Sequence, residues 1–181
     1  MKKLSSLIIA LFVLSAGTVF AQSSDNADIT ASANVVQAIT VNAGDNLTFG
    51  NVLPGVAGTI DIVDADGSLN SNNAGSPQLG TFTISGGEGA SISITFSALT
   101  ELTGVGNAAN SLPFDYAGTN FARHEGATTA DTNFDPTAGT SIELGTGDVT
   151  IKVGGEVTPD NNQAQDTYEG TITLTATYDS I

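Results

Sequence analysis

The feature that most constrains the fold of this chain is an apolar side chain at every second position, repeated in short runs. A period of two places alternate side chains on one face of a β-strand. The first run is the longest and predicts one long strand, or two strands kinked near Val36. Its apolar residues occupy odd positions, with Gln37 as the break: Ala27, Ile29, Ala31, Ala33, Val35, Ile39 and Val41.

Shorter runs of the same kind follow, and clusters of Gly, Asp and Asn separate them, which is typical of strands joined by turns. No segment keeps a 3.6-residue apolar period over ten residues, so we predict almost no helix. The expected fold is all-β, an immunoglobulin-like antiparallel β-sandwich of about nine strands. The further strands are predicted at residues 47–50, 58–63, 79–85, 90–97, 112–116, 141–144, 149–157 and 171–178.

Three local features refine this prediction. Residues 79–97 are predicted to form a hairpin closed by residues 86–89, and the pair Gly154-Gly155 indicates a bulge or bend. Residues 68–78 and most of 98–140 are predicted to be loops, including Arg123 and His124. Within the second of these regions, residues 112–116 are expected to be an edge strand, because Pro113 cannot donate a hydrogen bond to a neighbour.

Residues 1–21 have the three parts of a secretory signal peptide. Lys2 and Lys3 supply positive charge, residues 7–14 supply a short apolar run, and Val19-Phe20-Ala21 matches a cleavage site. No other run is long enough to cross a bilayer, so the mature chain is expected to have no transmembrane segment. We predict a single domain at residues 22–181, secreted to the cell surface or the extracellular space rather than kept in the periplasm.

The mature chain is strongly acidic. Removal of the signal peptide leaves Arg123 and Lys152 as the strong cations against 19 carboxylates, a formal charge of −17. Nucleic-acid binding depends on clustered Lys and Arg, so nucleic acid is excluded as an expected partner. The chain has no cysteine, which excludes disulfides as the source of its stability.

Three segments in order resemble a family of exported bacterial proteins, the domain of unknown function four-four-zero-two. They are Ala31 to Gly50, Gly58-Thr59-Ile60 with the Asp-rich turn after it, and Val153-Gly154-Gly155 followed by residues 168–178. The resemblance implies a secreted, pilin-like β-sandwich, similar in architecture to fimbrial subunits of the common-pilus type. It implies no catalytic residue.

The residues with the strongest claim to metal binding are Asp61, Asp64 and Asp66, which lie close to Gly67 in a tight turn. Calcium is the candidate ion, because it takes several oxygen ligands. The spacing does not fit an EF-hand loop, since Ile62 would stand at its first ligand position. The alternative is an Asp-Gly turn that closes a strand. No other cofactor is expected.

The sequence does not predict an enzyme. His124 is the only histidine, whereas zinc sites usually draw on several His or Cys ligands. No Gly-x-Ser-x-Gly motif marks a nucleophile for a catalytic triad. The prediction for His124 is a loop residue with charged neighbours.

Two functions remain open from the sequence. The first is a structural or adhesive surface protein, a fimbrial or pilus-type subunit that joins other copies or other surface proteins by β-strand addition. The donor side chains would be Ala27, Ile29, Ala31 and Ala33; the alternative is that they form an ordinary first strand of their own sandwich. The second function is a secreted ligand- or carbohydrate-binding module, with residues 98–140 as its binding surface.

Overall fold

A computed structural model describes residues 24–63 and 66–179. The predicted signal peptide, residues 1–21, lies outside this range. Within these residues the regular secondary structure consists of β-strands without helices, and every strand pair is antiparallel. The predicted all-β sandwich is confirmed. The strands are β1 (Thr40–Ala43), β2 (Gly58–Ile62), β3 (Leu69–Ser71), β4 (Gly80–Ser85), β5 (Ser91–Phe96), β6 (Glu101–Gly104), β7 (Ser111–Asp115), β8 (Ala122–Glu125), β9 (Thr132–Phe134), β10 (Thr140–Glu143), β11 (Val149–Val153), β12 (Gly155–Val157), β13 (Tyr168–Glu169) and β14 (Leu174–Tyr178).

The strands form three sheets. One has the order β1-β4-β11-β8-β9, the second β10-β5-β14, and the third β13-β6-β7-β12-β2-β3. The main apolar cluster draws on the first two sheets, with Ile84 and Ile151 from one and Ile92, Ile94 and Ile142 from the other. A second cluster packs on the third sheet around the buried ring of Phe114.

The predicted hairpin of residues 79–97 is wrong in its pairing, although both strands form. β4 pairs with β1 and β11, whereas β5 pairs with β10 and β14 of another sheet. Residues 86–89 therefore carry the chain from one sheet to the other. Alternation shows which face of each strand is apolar but not which strand is its partner. Two such strands can pair in a hairpin or face each other from two sheets that share a core, and the pattern is the same in both cases.

The count of about nine strands is too low, partly because long runs are divided where the chain changes sheet. The run at 149–157 is one example: β11 belongs to the first sheet and β12 to the third, with Gly154 between them. A Cβ atom at Gly154 would overlap the carbonyl oxygen of Ile60, so the close approach at this bend requires glycine. The predicted bend at the glycine pair is confirmed.

The loop prediction for most of residues 98–140 is wrong at β6, β8 and β9, whereas the strand predicted at 112–116 is present as β7. Arg123 and His124 lie in β8 and are 5% exposed. Residues 68–78, also predicted as a loop, contain the short strand β3 at the edge of the third sheet.

The prediction that Pro113 lies in an edge strand is wrong. Its strand, β7, lies between β6 and β12. The carbonyl oxygen of Pro113 accepts a hydrogen bond from Thr158, so the ring nitrogen faces the same side of the strand. β12 ends at Val157, just before this point. The missing N–H of proline therefore lies opposite Thr158, just past the last residue of β12, so it affects only the end of this pairing.

The long first strand predicted from residue 27 is reduced to β1, which begins at Thr40. Residues 24–39 belong to no strand. The chain divides into a unit that ends at Asn34 and a unit that begins at Val35. Within the described ranges, no helix has the length and apolar character needed to cross a membrane.

Candidate functional site

The four predicted donor residues lie in a segment without regular secondary structure, residues 24–34, which we call the N-terminal segment. Ala27, Ile29, Ala31 and Ala33 are all exposed, and the side chain of Ile29 is 94% exposed. These residues therefore lie outside any strand, and they do not form the ordinary first strand that was the alternative. A strand-type sequence without a strand partner is the first element of the candidate site.

The second element is a free strand edge on the first sheet. From Thr40 to Asn51 the chain runs antiparallel to residues 74–85, through β1 and then through isolated bridges at Thr48 and Asn51. Within the described chain, the backbone hydrogen bonds of residues 40–51 all go to that one neighbour. Thr48 and Gln78 exchange both of their backbone hydrogen bonds. The main-chain groups of Leu47 and Phe49 therefore point away from this neighbour, because these groups alternate sides along a strand.

The third element is a second free edge, along residues 167–178. The carbonyl of Thr167 accepts from Val105, β13 pairs with β6, the carbonyl of Thr173 accepts from Ser97, and β14 pairs with β5. All of these partners lie on one side. The main-chain groups of Tyr168 and Ile172 therefore face the open side, as far as the described residues extend.

An open groove of about 1140 Å³ lies between these two edges. One rim is formed by residues 45–54 and the other by residues 164–172. This volume exceeds the roughly 300–1,000 Å³ of typical small-molecule sites. Polar and apolar groups share its exposed lining about equally. The large apolar side chains among them are Leu47, Phe49, Val52, Phe82, Leu99, Leu102, Leu112, Phe114, Val153, Val157 and Ile172.

Aromatic and aliphatic side chains at the groove are ordered by packing but only partly covered. The rings of Phe49 and Phe114 meet edge to face with centroids 6.0 Å apart. Phe114 is buried, whereas Phe49, Leu99 and Leu102 are half-buried. Leu53 on the first rim is 67% exposed. The groove therefore presents apolar surface that the described part of the chain leaves uncovered.

The second rim is held in place by the carboxylate of Asp166. Its Oδ1 accepts hydrogen bonds from the backbone N–H of Gly106 and Thr167, and its Oδ2 accepts from Asn107 and Asn110. These donors, with the amide of Gly106 the largest contributor, lower the pKa of Asp166. The rim before β13 is thus tied by hydrogen bonds to the β6–β7 connection.

At the other end of β14, Tyr178 ties residues near 37 to the last strand. Its hydroxyl donates to the carbonyl oxygen of Gln37 at 2.6 Å and accepts from the N–H of Gly87 at 2.8 Å. The chain just before β1 is therefore fixed beside β14. The open part of the groove lies farther along, between residues 45–54 and 164–172.

The predicted calcium ligands are placed as follows. Asp61 is on β2 close to Glu156; burial and then this second carboxylate raise the pKa of Asp61. Asp64 lies outside the described residues. Asp66 accepts a hydrogen bond from the N–H of Ser68. Hydrogen bonding from the Ser68 side chain and then from this N–H lowers the pKa of Asp66.

Within residues 24–63 and 66–179, no three His, Cys, Asp or Glu side chains gather in an arrangement that could hold a metal. Calcium binding at Asp61, Asp64 and Asp66 stays a prediction. Its test is a calcium-dependent rise in melting temperature that an Asp64→Ala/Asp66→Ala variant loses.

Sequence reasoning missed an ion cluster beneath this turn. Glu125 Oε1 accepts from Arg123 Nε at 3.1 Å and from Lys152 Nζ at 2.7 Å, and Lys152 also donates to the carbonyl oxygen of Gly67 at 3.0 Å. Arg123 Nη1 donates to Asn133 at 3.0 Å. Lys152 therefore connects Gly67 of the turn to Glu125 of β8, which Arg123 also contacts. The spacing Arg123-x-Glu125, which puts both side chains on one strand face, was the available signal.

His124 projects from the opposite face of β8 into the apolar cluster, with its ring centroid 6.3 Å from that of Phe134. Its Nδ1 is buried without a hydrogen-bond partner. Burial is the largest influence and lowers the pKa of His124; Arg123 acts in the same direction, and Asp131 opposes both. The structure places His124 in the core rather than in the predicted loop.

Comparison with known proteins yields one relationship. No curated protein matches the chain significantly. The model of a family described as "Domain of unknown function (DUF4402)" matches residues 39–178, which begins one residue before β1 and ends with β14. The N-terminal segment lies before the matched region. The match covers most of the chain and agrees with the resemblance seen in the sequence, so this protein belongs to the DUF4402 family.

Proposed function

We propose that this protein is a secreted structural or adhesive subunit at the cell surface, whose copies join into fibres by β-strand addition. The observation that carries the proposal is the N-terminal segment, which alternates like a strand but is exposed and belongs to no sheet. An extended segment of this kind gains main-chain hydrogen bonds and buries alternate side chains when it adds to another chain's sheet. The proposed role is non-enzymatic.

The free edges at residues 40–51 and 167–178 support the same proposal. An edge strand presents unpaired N–H and C=O groups to which another chain can add. Many monomeric proteins protect such edges, whereas here both edges border apolar surface. A subunit made for assembly needs a free edge of this kind. The backbone N–H and C=O groups of an incoming chain lose their hydrogen bonds to water, and the edge supplies new partners for them.

The secreted part of the proposal rests on the signal-peptide pattern of residues 1–21 and on composition. A formal charge of −17 for the mature chain opposes association of separate copies at low salt, since like-charged molecules repel one another. Assembly would then begin where ions screen that repulsion. The proposal therefore places fibre formation outside the cell, after export.

The test is deletion of residues 22–34 from the mature protein. Full-length mature protein and the deletion variant are compared by negative-stain microscopy at low and high salt, and by thermal melting. We expect fibres only from the full-length chain and the same cooperative melting in both. Fibres from the deletion variant would overturn strand donation, and so would a variant that unfolds, because the segment would then belong to its own fold.

The alternative of a ligand- or carbohydrate-binding module has lost the feature that motivated it. It rested on one long loop at residues 98–140, and β6, β7, β8 and β9 divide that region into shorter connections. We therefore retain the fibre subunit as the proposed function.

A further inference from the structure

We infer that the groove between residues 45–54 and 164–172 is the acceptor site for the N-terminal segment of a second copy of this chain. The inference rests on the proposed function and adds the location of the acceptor. The occupant is residues 24–34, with Ala27, Ile29, Ala31 and Ala33 directed toward the base of the groove.

The dimensions of the groove and the segment agree. Each rim contains nine or ten residues and the segment contains eleven, so the segment, extended at roughly 3.3 Å per residue to about 36 Å, is long enough to run along either rim. The groove is also larger than a typical small-molecule site. A strand occupies such a long, open volume more completely than a compact ligand does.

The chemistry of the walls also agrees with a strand. Main-chain groups of Leu47 and Phe49 on one rim, and of Tyr168 and Ile172 on the other, point away from their own sheets. A chain laid between the rims can bond to either edge, while every second side chain meets the base at Phe82, Phe114 and Leu102.

The side chains of the segment suit a base that is already largely filled. Phe114, Leu112 and Val157 are at most 7% exposed, so the remaining space lies among half-buried neighbours such as Leu99 and Leu102. Three of the four donor residues are alanine. Small side chains fit without displacing the packed rings, and the single isoleucine supplies most of the apolar area.

Negative charge on both the segment and the groove opposes this contact, so insertion depends on ionic strength. The segment contains Asp25 and Asp28, and the groove is bordered by Asp45, Asp166 and Glu169. Repulsion between these carboxylates weakens as the Debye length falls from about 30 Å at 0.01 M salt to about 8 Å at 0.15 M. Insertion is therefore expected at physiological or higher ionic strength.

The natural absence of cysteine allows a direct test by disulfide trapping in the full mature chain. One variant contains Ala31→Cys in the segment and another contains Thr171→Cys on the exposed rim. The matched control replaces Thr171→Cys by Ala130→Cys, an exposed position outside the groove. Equal amounts of the two single variants are mixed at high salt and oxidised mildly, and peptides joined by a disulfide are identified by mass spectrometry.

We expect the 31–171 link between two chains at about tenfold or more the yield of the 31–130 control, because insertion raises the local concentration of the two thiols. Equal yields would overturn the acceptor assignment. A chain with both Ala31→Cys and Thr171→Cys that closes the disulfide within itself, as a monomer, would also overturn it by showing that the segment fills its own groove.

Microscopy of the unmodified protein separates this failure from failure of the proposed function. Fibres without the 31–171 link leave strand addition standing and place the acceptor elsewhere. Neither fibres nor link at any salt concentration contradicts both proposals. Fibres together with the link support both.

Discussion

The N-terminal segment and β4 have the same alternation of apolar and polar residues but opposite environments. Ile84 in β4 is fully buried, and β4 is paired on both sides by β1 and β11. Ile29 in the segment is 94% exposed and belongs to no strand. β4 places large side chains at alternate positions, Phe82 and Ile84, whereas the segment places alanine at three of four. Alternation defines a face; its apolar area and the available partners decide whether that face is buried.

The largest expected effect comes from making the same substitution in both regions. Ile84→Ala removes a fully buried side chain from the main cluster, and we expect the free energy of unfolding to fall by about 2–5 kcal/mol. Ile29→Ala should change it by less than about 0.5 kcal/mol. Urea unfolding at low salt, where the chains stay separate, measures both. Similar losses at the two positions would contradict the contrast.

The second prediction concerns assembly, for which Ile29 in the segment is expected to matter although it contributes little to the stability of the folded chain. Ile29→Asp should raise the concentration needed for fibres by roughly 10- to 100-fold, since burial of isoleucine contributes about 1.5–3 kcal/mol. The matched control is Thr30→Asp, which adds the same charge at the neighbouring position on the opposite face. Light scattering against concentration gives the threshold for each. An equal increase in both variants would indicate a charge effect and not insertion of the Ile29 side chain.

This comparison also shows how much of the fold could be predicted. Alternation located β2, β4, β5, β7, β10, β11 and β14, because each buries one face. It could not identify partners: the same pattern in β4 and β5 suits a hairpin or two facing sheets, and the chain adopts the second. β8 was missed because Arg123 and Glu125 resemble loop residues until their mutual ion pair is seen.

The candidate site was predictable in one half only. The proposed donor side chains could be named from the sequence, since they are consecutive odd positions. The groove could not, because its rims come from residues 45–54 and 164–172, more than a hundred positions apart, and meet only in the folded chain. Nothing in the local sequence of either rim specifies that its strand lies at an edge.

The third prediction concerns ionic strength, which should affect the two regions differently. We expect the assembly threshold to fall several-fold from 0.01 M to 0.15 M salt, because the proposed insertion would bring Asp25 and Asp28 against the acidic rims. An Asp25→Asn/Asp28→Asn variant should assemble at lower salt than the unmodified protein. Ile84 packs among apolar neighbours, so the Ile84→Ala loss in stability should stay the same. Assembly that is independent of salt in both proteins would contradict the charge argument.

The smallest effect is expected from His124, which shares the main cluster's environment with Ile84. Burial lowers its pKa in the folded chain below the ordinary value of about 6.5, so the unfolded chain binds the proton more readily. The contribution of neutral His124 to stability is complete above about pH 6.5. It decreases as the pH falls from that value through the lowered pKa of the folded state.

Unfolding midpoints measured from pH 8 to pH 5 check this sign. His124→Leu should remove the decline that begins near pH 6.5, because leucine has no proton to gain. Asp131→Asn should extend the decline to lower pH, because the carboxylate of Asp131 favours the charged imidazole and so limits the shift. A His124→Leu variant with the same pH profile as the unmodified protein would show that other groups cause the decline. Unlike the salt effect, this decline should be the same with and without the N-terminal segment, since it originates in the core.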